Sequence, residues 1–185
     1  MDTGIDFLRS QVNNAVMQHQ TFLDSLVDHE RQADDQRFRD LCSRHIPKMR
    51  EHQRMLEEYQ LQLGRSSRND DNPLEMAAGT AKKMFGSVLG KAKDLADAAR
   101  ESDFFRLVED IVMARQAEDT FKTFRDGGRQ LGIRRLAEIG EMGEREHDDY
   151  VKEANRLVMQ MFVEHARGAE NAIPAEQSRQ TSPGL

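Results

Sequence analysis

Apolar residues recur every three or four positions along four long stretches of the chain, which is the spacing of amphipathic α-helices. The first predicted helix covers residues 3–32, and the second follows an Asp-Asp turn and ends at Gly64. Residues 104–163 predict two more helices, joined at Gln130-Leu131-Gly132. Because few residues separate the helices within each pair, the pattern predicts an all-α fold of two antiparallel helical hairpins.

The predicted apolar stripes carry several polar side chains. Histidines interrupt the stripes of the first, second and fourth helices, and Glu118 interrupts that of the third. In chain order the stripes are Ile5, Leu8, Val12, Ala15, His19, Phe22, Leu26; Phe38, Leu41, His45, Met49, His52, Leu56, Tyr59, Leu63; Leu107, Ile111, Ala114, Glu118, Phe121; and Leu136, Ile139, Gly143, His147, Tyr150, Ala154, Leu157, Met161. His29 and His165 lie near helix ends, where we expect them to face water.

A long segment of different composition separates the two hairpins. Residues 64–73 are rich in Arg, Ser, Asn and Asp and predict a linker, and residues 74–100 show a weaker apolar pattern interrupted by glycines. We predict that residues 74–100 form a crossover helix packed over the bundle, because each glycine weakens an independent helix by roughly 1 kcal/mol. Their lysines and apolar face leave a membrane-surface or partner-binding helix as the alternative.

The composition suits one helical domain of modest size. The chain has 185 residues, of which 37% are hydrophobic and 32% charged. We predict a single domain over residues 1–168, made of a hairpin (3–64), a linker and crossover helix (65–101) and a second hairpin (102–168). Residues 169–185 have the composition of a disordered tail.

Charge, cysteine content and motifs exclude several classes of protein. The net charge of −6 argues against a nucleic-acid partner, because such binding needs clustered Lys and Arg. The lone Cys42 cannot form an intrachain disulfide and is predicted to be a buried thiol. No stretch has the roughly 18 apolar residues of a membrane span, and the first residues are polar and acidic, so we expect a cytoplasmic protein. The chain has no Ser-His-Asp set, phosphate-binding loop or Rossmann motif.

The helix pattern predicts a cluster of carboxylate and imidazole groups at the middle of the bundle. Glu144 and His147 form a Glu-x-x-His pair one helical turn apart, and antiparallel folding brings Glu118 level with them. His19 and His52 lie at about the same height in the first hairpin. These five residues are the candidate metal ligands.

Two neighbouring buried carboxylates need a compensating charge, because burying them alone costs several kcal/mol. A metal ion, a protonated histidine or Arg115 could supply it, so an internal hydrogen-bond network is the alternative to a metal site. If a metal binds, mixed imidazole and carboxylate donors suit iron, manganese or zinc. With only Glu118 and Glu144 available to bridge, one ion is favoured over two.

Two hairpins joined by a long crossover, with Glu and then Glu-x-x-His in the second hairpin, resemble the ferritin-like superfamily. Within it, the chain is most similar to the bacterial stress-response YciE/YciF group over about residues 3–161. The residues that carry this resemblance are Glu118 followed by Phe121, the turn at 130–132 followed by Arg134 and Arg135, Glu144 with His147, and His52 followed by Met55. The resemblance implies a four-helix bundle with a crossover helix, usually dimeric, with a dinuclear iron or similar site and a role in stress.

Carried over residue by residue, the resemblance places Glu118, Glu144 and His147 at ligand positions. His52 matches the histidine of the second helix. Met49 stands where the pattern has Glu, and His19 stands where the first helix usually offers Glu. These two departures argue against oxygen activation or ferroxidase turnover.

Together with the predicted ligand cluster, the resemblance implies a ferritin-like protein that binds iron or manganese and acts in a bacterial stress response. The alternative is a non-catalytic helical scaffold or interaction protein with a degenerate metal site. A weaker third hypothesis is a membrane-surface stress protein that uses residues 74–100. Apolar residues outside the stripes, such as Val108, Val112 and Val158, predict a homodimer or a surface covered by the crossover segment.

Overall fold

A computed structural model describes residues 3–65 and 102–167 of the chain. These residues form four α-helices and no strand: α1 (Thr3–Gln32), α2 (Gln36–Arg65), α3 (Asp103–Leu131) and α4 (Arg134–Ala166). The predicted all-α class is confirmed for this part of the chain. The predicted crossover helix and tail lie outside the described residues. None of the four helices is both long and apolar enough to cross a membrane.

Short turns join the helices in two pairs. Residues 33–35 connect α1 to α2, and Gly132 and Ile133 connect α3 to α4. Gly132 has a φ of +68°, and the Ile133 N–H donates to the Gly128 carbonyl at 2.8 Å, which ends α3 at the predicted turn. Because the paired helices also pack against each other, each pair is an antiparallel hairpin.

Contacts at the two ends of the molecule fix the directions of the helices. At one end, the Asp35 N–H donates to the Asp103 carboxylate at 2.6 Å, and Arg37 pairs with Glu164 at 2.8 Å. At the other end, Arg9 donates to the Leu63 carbonyl at 3.0 Å. Helices α1 and α4 therefore run in one direction and α2 and α3 in the other. Arg65 and Asp103 consequently lie at opposite ends of the molecule.

The core consists of two apolar clusters with a layer of histidines between them. One cluster, near the α1–α2 turn, includes Phe22, Phe38 and Tyr150, and the other includes Leu56 and Phe121. All predicted stripe residues of α2 and α4 are buried, whereas the first two of α1, Ile5 and Leu8, are only partly buried. Cys42 is a buried free thiol, as predicted.

Helix α3 buries three of its five predicted stripe residues, Leu107, Ala114 and Phe121, and differs from the prediction at the other two. Its buried residues are Leu107, Asp110, Ala114, Ala117, Phe121, Phe124 and Gly128. Ile111 and Glu118 are only partly buried, and Asp110 and Ala117 take their places. The prediction that Glu118 belongs to the buried stripe was wrong, because its carboxylate remains in contact with solvent and with Arg115.

Candidate metal centre

Three histidines from three different helices meet at the centre of the core. His19 comes from α1, His52 from α2 and His147 from α4, and none of them has exposed surface. One ring nitrogen of each lies within 4.8 Å of those of the other two. The ring centroids are 5.0 Å apart for His19 and His52, 5.2 Å for His19 and His147, and 5.9 Å for His52 and His147. We call these residues the three-histidine cluster.

Each ring of the three-histidine cluster donates one hydrogen bond to an oxygen. His19 Nδ1 donates to Gln53 Oε1 at 2.9 Å, His52 Nε2 to the Ile139 carbonyl at 3.2 Å, and His147 Nδ1 to the Gly143 carbonyl at 2.7 Å. The Gln53 amide is oriented by a bond from its Nε2 to a Glu57 oxygen at 2.8 Å. Because these oxygens can only accept, the three bonded nitrogens carry the ring protons.

The other nitrogen of each ring has no hydrogen-bond partner among the described residues. These atoms are His19 Nε2, His52 Nδ1 and His147 Nε2. In a neutral imidazole the nitrogen without a proton presents a lone pair, so the cluster holds three buried acceptors and no donor for them. Metal-binding histidines usually donate their second ring N–H to an oxygen that orients the ring, which is the arrangement seen here.

Burial keeps the cluster neutral. Desolvation lowers the pKa of His19 from 6.5 to about 4 and that of His52 to about 3, and it lowers the pKa of His147 well below 6.5. The adjacent His19 lowers the pKa values of His52 and His147 further. At neutral pH the lone pairs are therefore free of protons, as metal binding requires.

Aromatic side chains surround the cluster. The Phe121 ring centroid lies 4.4 Å from that of His52, 5.1 Å from that of His147 and 5.9 Å from that of His19. Phe22 lies against His147 at 5.5 Å. Phe121 therefore places nonpolar surface against all three imidazoles, and Phe22 against one of them.

The absence of a side chain at Gly143 leaves room for the His52 ring. We therefore predict that Gly143→Ala displaces this ring. An added Cβ would lie 2.1 Å from His52 Cε1 and 2.5 Å from Phe121 Cγ. The expected loss in the free energy of unfolding is about 1–3 kcal/mol, the usual cost of overpacking, measured by urea denaturation. Gly127→Ala is the matched control, because nothing lies within 4 Å of its added Cβ and alanine favours a helix interior. Equal effects of the two substitutions would contradict the prediction.

The structure does not bring Glu118 and Glu144 into the three-histidine cluster. Glu118 pairs with Arg115 at 2.9 Å, and Glu144 pairs with Arg125. Their side chains are 20% and 22% exposed, and both line a surface pocket on α3 and α4. The two carboxylates are therefore compensated by arginines, as sequence analysis considered for Arg115. Of the five candidate ligands, the structure gathers the three histidines.

A second buried polar cluster, which sequence analysis missed, lies nearer the α1–α2 turn. Asp110 has no exposed surface and accepts hydrogen bonds from Ser25 at 2.7 Å, His29 at 2.8 Å and the Tyr150 hydroxyl at 3.4 Å. The expectation that His29 faces water was wrong, because its side chain is 14% exposed and its ring binds Asp110. The only signal in the sequence was the spacing of Ser25 and His29 by one helical turn.

Comparisons with families of proteins, with characterised proteins and with solved structures found no match to this chain. Its function is therefore inferred from its own residues. In the part of the chain that the structure describes, the three-histidine cluster is the one group of potential ligands compact enough to hold a metal ion.

Proposed function

We propose that the protein binds a single transition-metal ion between His19, His52 and His147. The proposal rests on two observations: each of these three buried imidazoles has one ring nitrogen without a hydrogen-bond partner among the described residues, and one nitrogen of each ring lies within 4.8 Å of those of the other two. Each buried acceptor left unsatisfied costs about 1–3 kcal/mol, and one ion would satisfy all three. Coordination at about 2.0–2.1 Å with tetrahedral angles needs nitrogens roughly 3.3 Å apart, so binding draws the rings together.

Of the metals predicted from the sequence, the donor set favours iron and zinc over manganese, and it adds copper and nickel. Imidazole suits zinc, copper, iron and nickel, whereas manganese prefers oxygen ligands. A dinuclear iron centre, which the ferritin-like resemblance implies, needs bridging carboxylates, and Glu118 and Glu144 are held by arginines outside the cluster. The residues therefore do not fit that centre, and the proposal is for one ion without oxygen activation.

We also propose the ferritin-like arrangement of two hairpins with a long crossover. The support is that Arg65 and Asp103, the described residues on either side of the proposed crossover, lie at opposite ends of helices about 45 Å long. A simple up-and-down bundle would need only a short connection there. The proposed role in a bacterial stress response is supported by the family resemblance.

A non-catalytic interaction protein is the second candidate, and an exposed apolar surface favours it. The first half of α3 and the end of α4 expose large hydrophobic side chains, namely Phe105, Val112, Met159, Phe162 and Val163. A surface of this kind suits a homodimer interface, which we retain as part of the proposal. If interaction were the whole function, the three-histidine cluster would contribute only to core packing.

Metal-dependent stability distinguishes the two candidates. Protein purified without a histidine tag and stripped with chelator is expected to bind about one equivalent of metal, which should stabilise the fold by about 2.7 kcal/mol at 100 times Kd. His147→Ala should abolish both effects, whereas Glu144→Ala should retain them. Isothermal titration and thermal melting measure these quantities. A melting temperature that changes with neither chelator nor added metal would refute metal binding.

A further inference from the structure

We infer that the three-histidine cluster selects the monovalent ion Cu⁺ over divalent metals. This inference rests on the proposed function, because it concerns which metal the cluster takes. It follows from two features of the site. All its donors are neutral, and its surroundings provide few hydrogen-bond partners for a water molecule as a fourth ligand.

The first feature is the absence of negative charge among the donors. In residues 3–65 and 102–167, no carboxylate belongs to the group of ligand atoms that lie within 4.8 Å of one another, which contains only the three imidazoles. The carboxylate linked to the cluster by hydrogen bonds, Glu57, is reached only through Gln53 and is exposed. A divalent ion would therefore keep its full charge in the core. Because the desolvation energy of an ion rises with the square of its charge, a monovalent ion incurs only about a quarter of that cost.

The second feature concerns a fourth ligand. Zinc sites with three protein ligands are completed by a water molecule or a substrate. A buried water needs two to four hydrogen-bonding partners of its own. The Ile139 and Gly143 carbonyls lie within α4 and accept a helix N–H as well as an imidazole N–H, so only the Gln53 oxygen keeps a free lone pair among these three acceptors. Phe121 and Phe22, the two phenylalanines whose rings contact the imidazoles, offer no hydrogen-bonding group. Cu⁺ is stable with three nitrogen ligands and needs no water.

Cys42 is the competing soft donor that the test has to separate from the cluster. Its thiol is buried, and desolvation raises its pKa, so it is not a thiolate at neutral pH. Thiolate is the form that binds metals. Cu⁺ bound at the cluster should therefore be retained in Cys42→Ala.

The test titrates the metal-free, full-length protein with Cu⁺ under anaerobic, reducing conditions and separately with Zn²⁺, each against a coloured chelator. We expect one equivalent of Cu⁺ with a Kd at least about tenfold lower than that of Zn²⁺. X-ray absorption should show three nitrogen neighbours. His52→Gln should weaken Cu⁺ binding by more than about 100-fold, and Cys42→Ala and the exposed His165→Ala should leave it unchanged.

The possible failures are distinct. Three outcomes would overturn the selectivity: equal or tighter binding of Zn²⁺, a fourth light-atom neighbour of copper, or loss of Cu⁺ binding in Cys42→Ala. None of them refutes metal binding at the cluster, which is decided separately by the effect of chelator and metal on stability. Failure of every metal to bind would overturn the proposed function as well. The selectivity itself is measured on the unaltered chain, so it does not depend on any variant folding correctly.

Discussion

Lowering the pH from 7 to 5 is expected to reduce the free energy of unfolding of the metal-free protein by about 4 kcal/mol through His19 and His52 alone. Burial lowers their pKa values from 6.5 to about 4 and about 3. Below pH 6.5 the unfolded chain therefore binds more protons than the folded one. The stabilisation is complete above about pH 6.5 and is lost as the pH falls toward the folded-state values. His147, whose pKa is also lowered by burial, adds to the loss.

Urea denaturation across this pH range, after chelator treatment, measures the effect. His52→Gln is the informative variant, because glutamine keeps an N–H that can reach the Ile139 carbonyl but does not titrate. It should reduce the dependence of stability on pH by about 1.4 kcal/mol per pH unit between pH 6 and 4. A free energy of unfolding that stays constant from pH 7 to 5 would show that the three imidazoles are not buried as neutral groups.

Helices α2 and α4 could be predicted residue by residue because their apolar periodicity is strong and their polar core positions are histidines. A neutral imidazole fits an apolar stripe, so His52 and His147 did not disturb the pattern. Counting residues from each turn then placed these two and His19 at one height, where the structure gathers them. What the periodicity could not supply was the pairing of each ring with a particular oxygen, since Gln53 and the Ile139 carbonyl are brought there by packing.

The buried face of α3 could not be predicted because it depends on partners from other helices. Ile111 looked like a core residue and Asp110 like a surface one, since aspartate is almost never fully buried unless it is paired. The hydrogen-bond partners of Asp110 come from α1 and α4, far away in the sequence. A rotation small enough to keep Ala114 and Phe121 buried also leaves Glu118 partly exposed and puts the small Ala117 in the core. The same difference separates Glu118, the predicted carboxylate ligand of α3, from the imidazoles.

We expect Asp110→Ala to cost roughly 3–5 kcal/mol of unfolding free energy, because it removes the acceptor of three hydrogen bonds, and each buried donor left without an acceptor costs about 1–3 kcal/mol. The Asp110 carboxylate accepts bonds from Ser25, His29 and Tyr150, and so ties α3 to α1 and α4. Without it, the Tyr150 hydroxyl is buried with no acceptor, and the deleted atoms leave a cavity. Urea denaturation monitored by circular dichroism measures the loss.

Two substitutions on the same helix serve as matched controls. Asp119 is exposed, and Asp119→Ala should change stability by no more than about 0.5 kcal/mol. Glu118→Ala removes only the partly exposed pair with Arg115, which is worth about 0–1 kcal/mol. The ranking therefore tests the orientation of α3 directly. A greater loss for Glu118→Ala than for Asp110→Ala would mean that α3 turns toward the core the face that its apolar periodicity alone predicts, with a carboxylate beside His147.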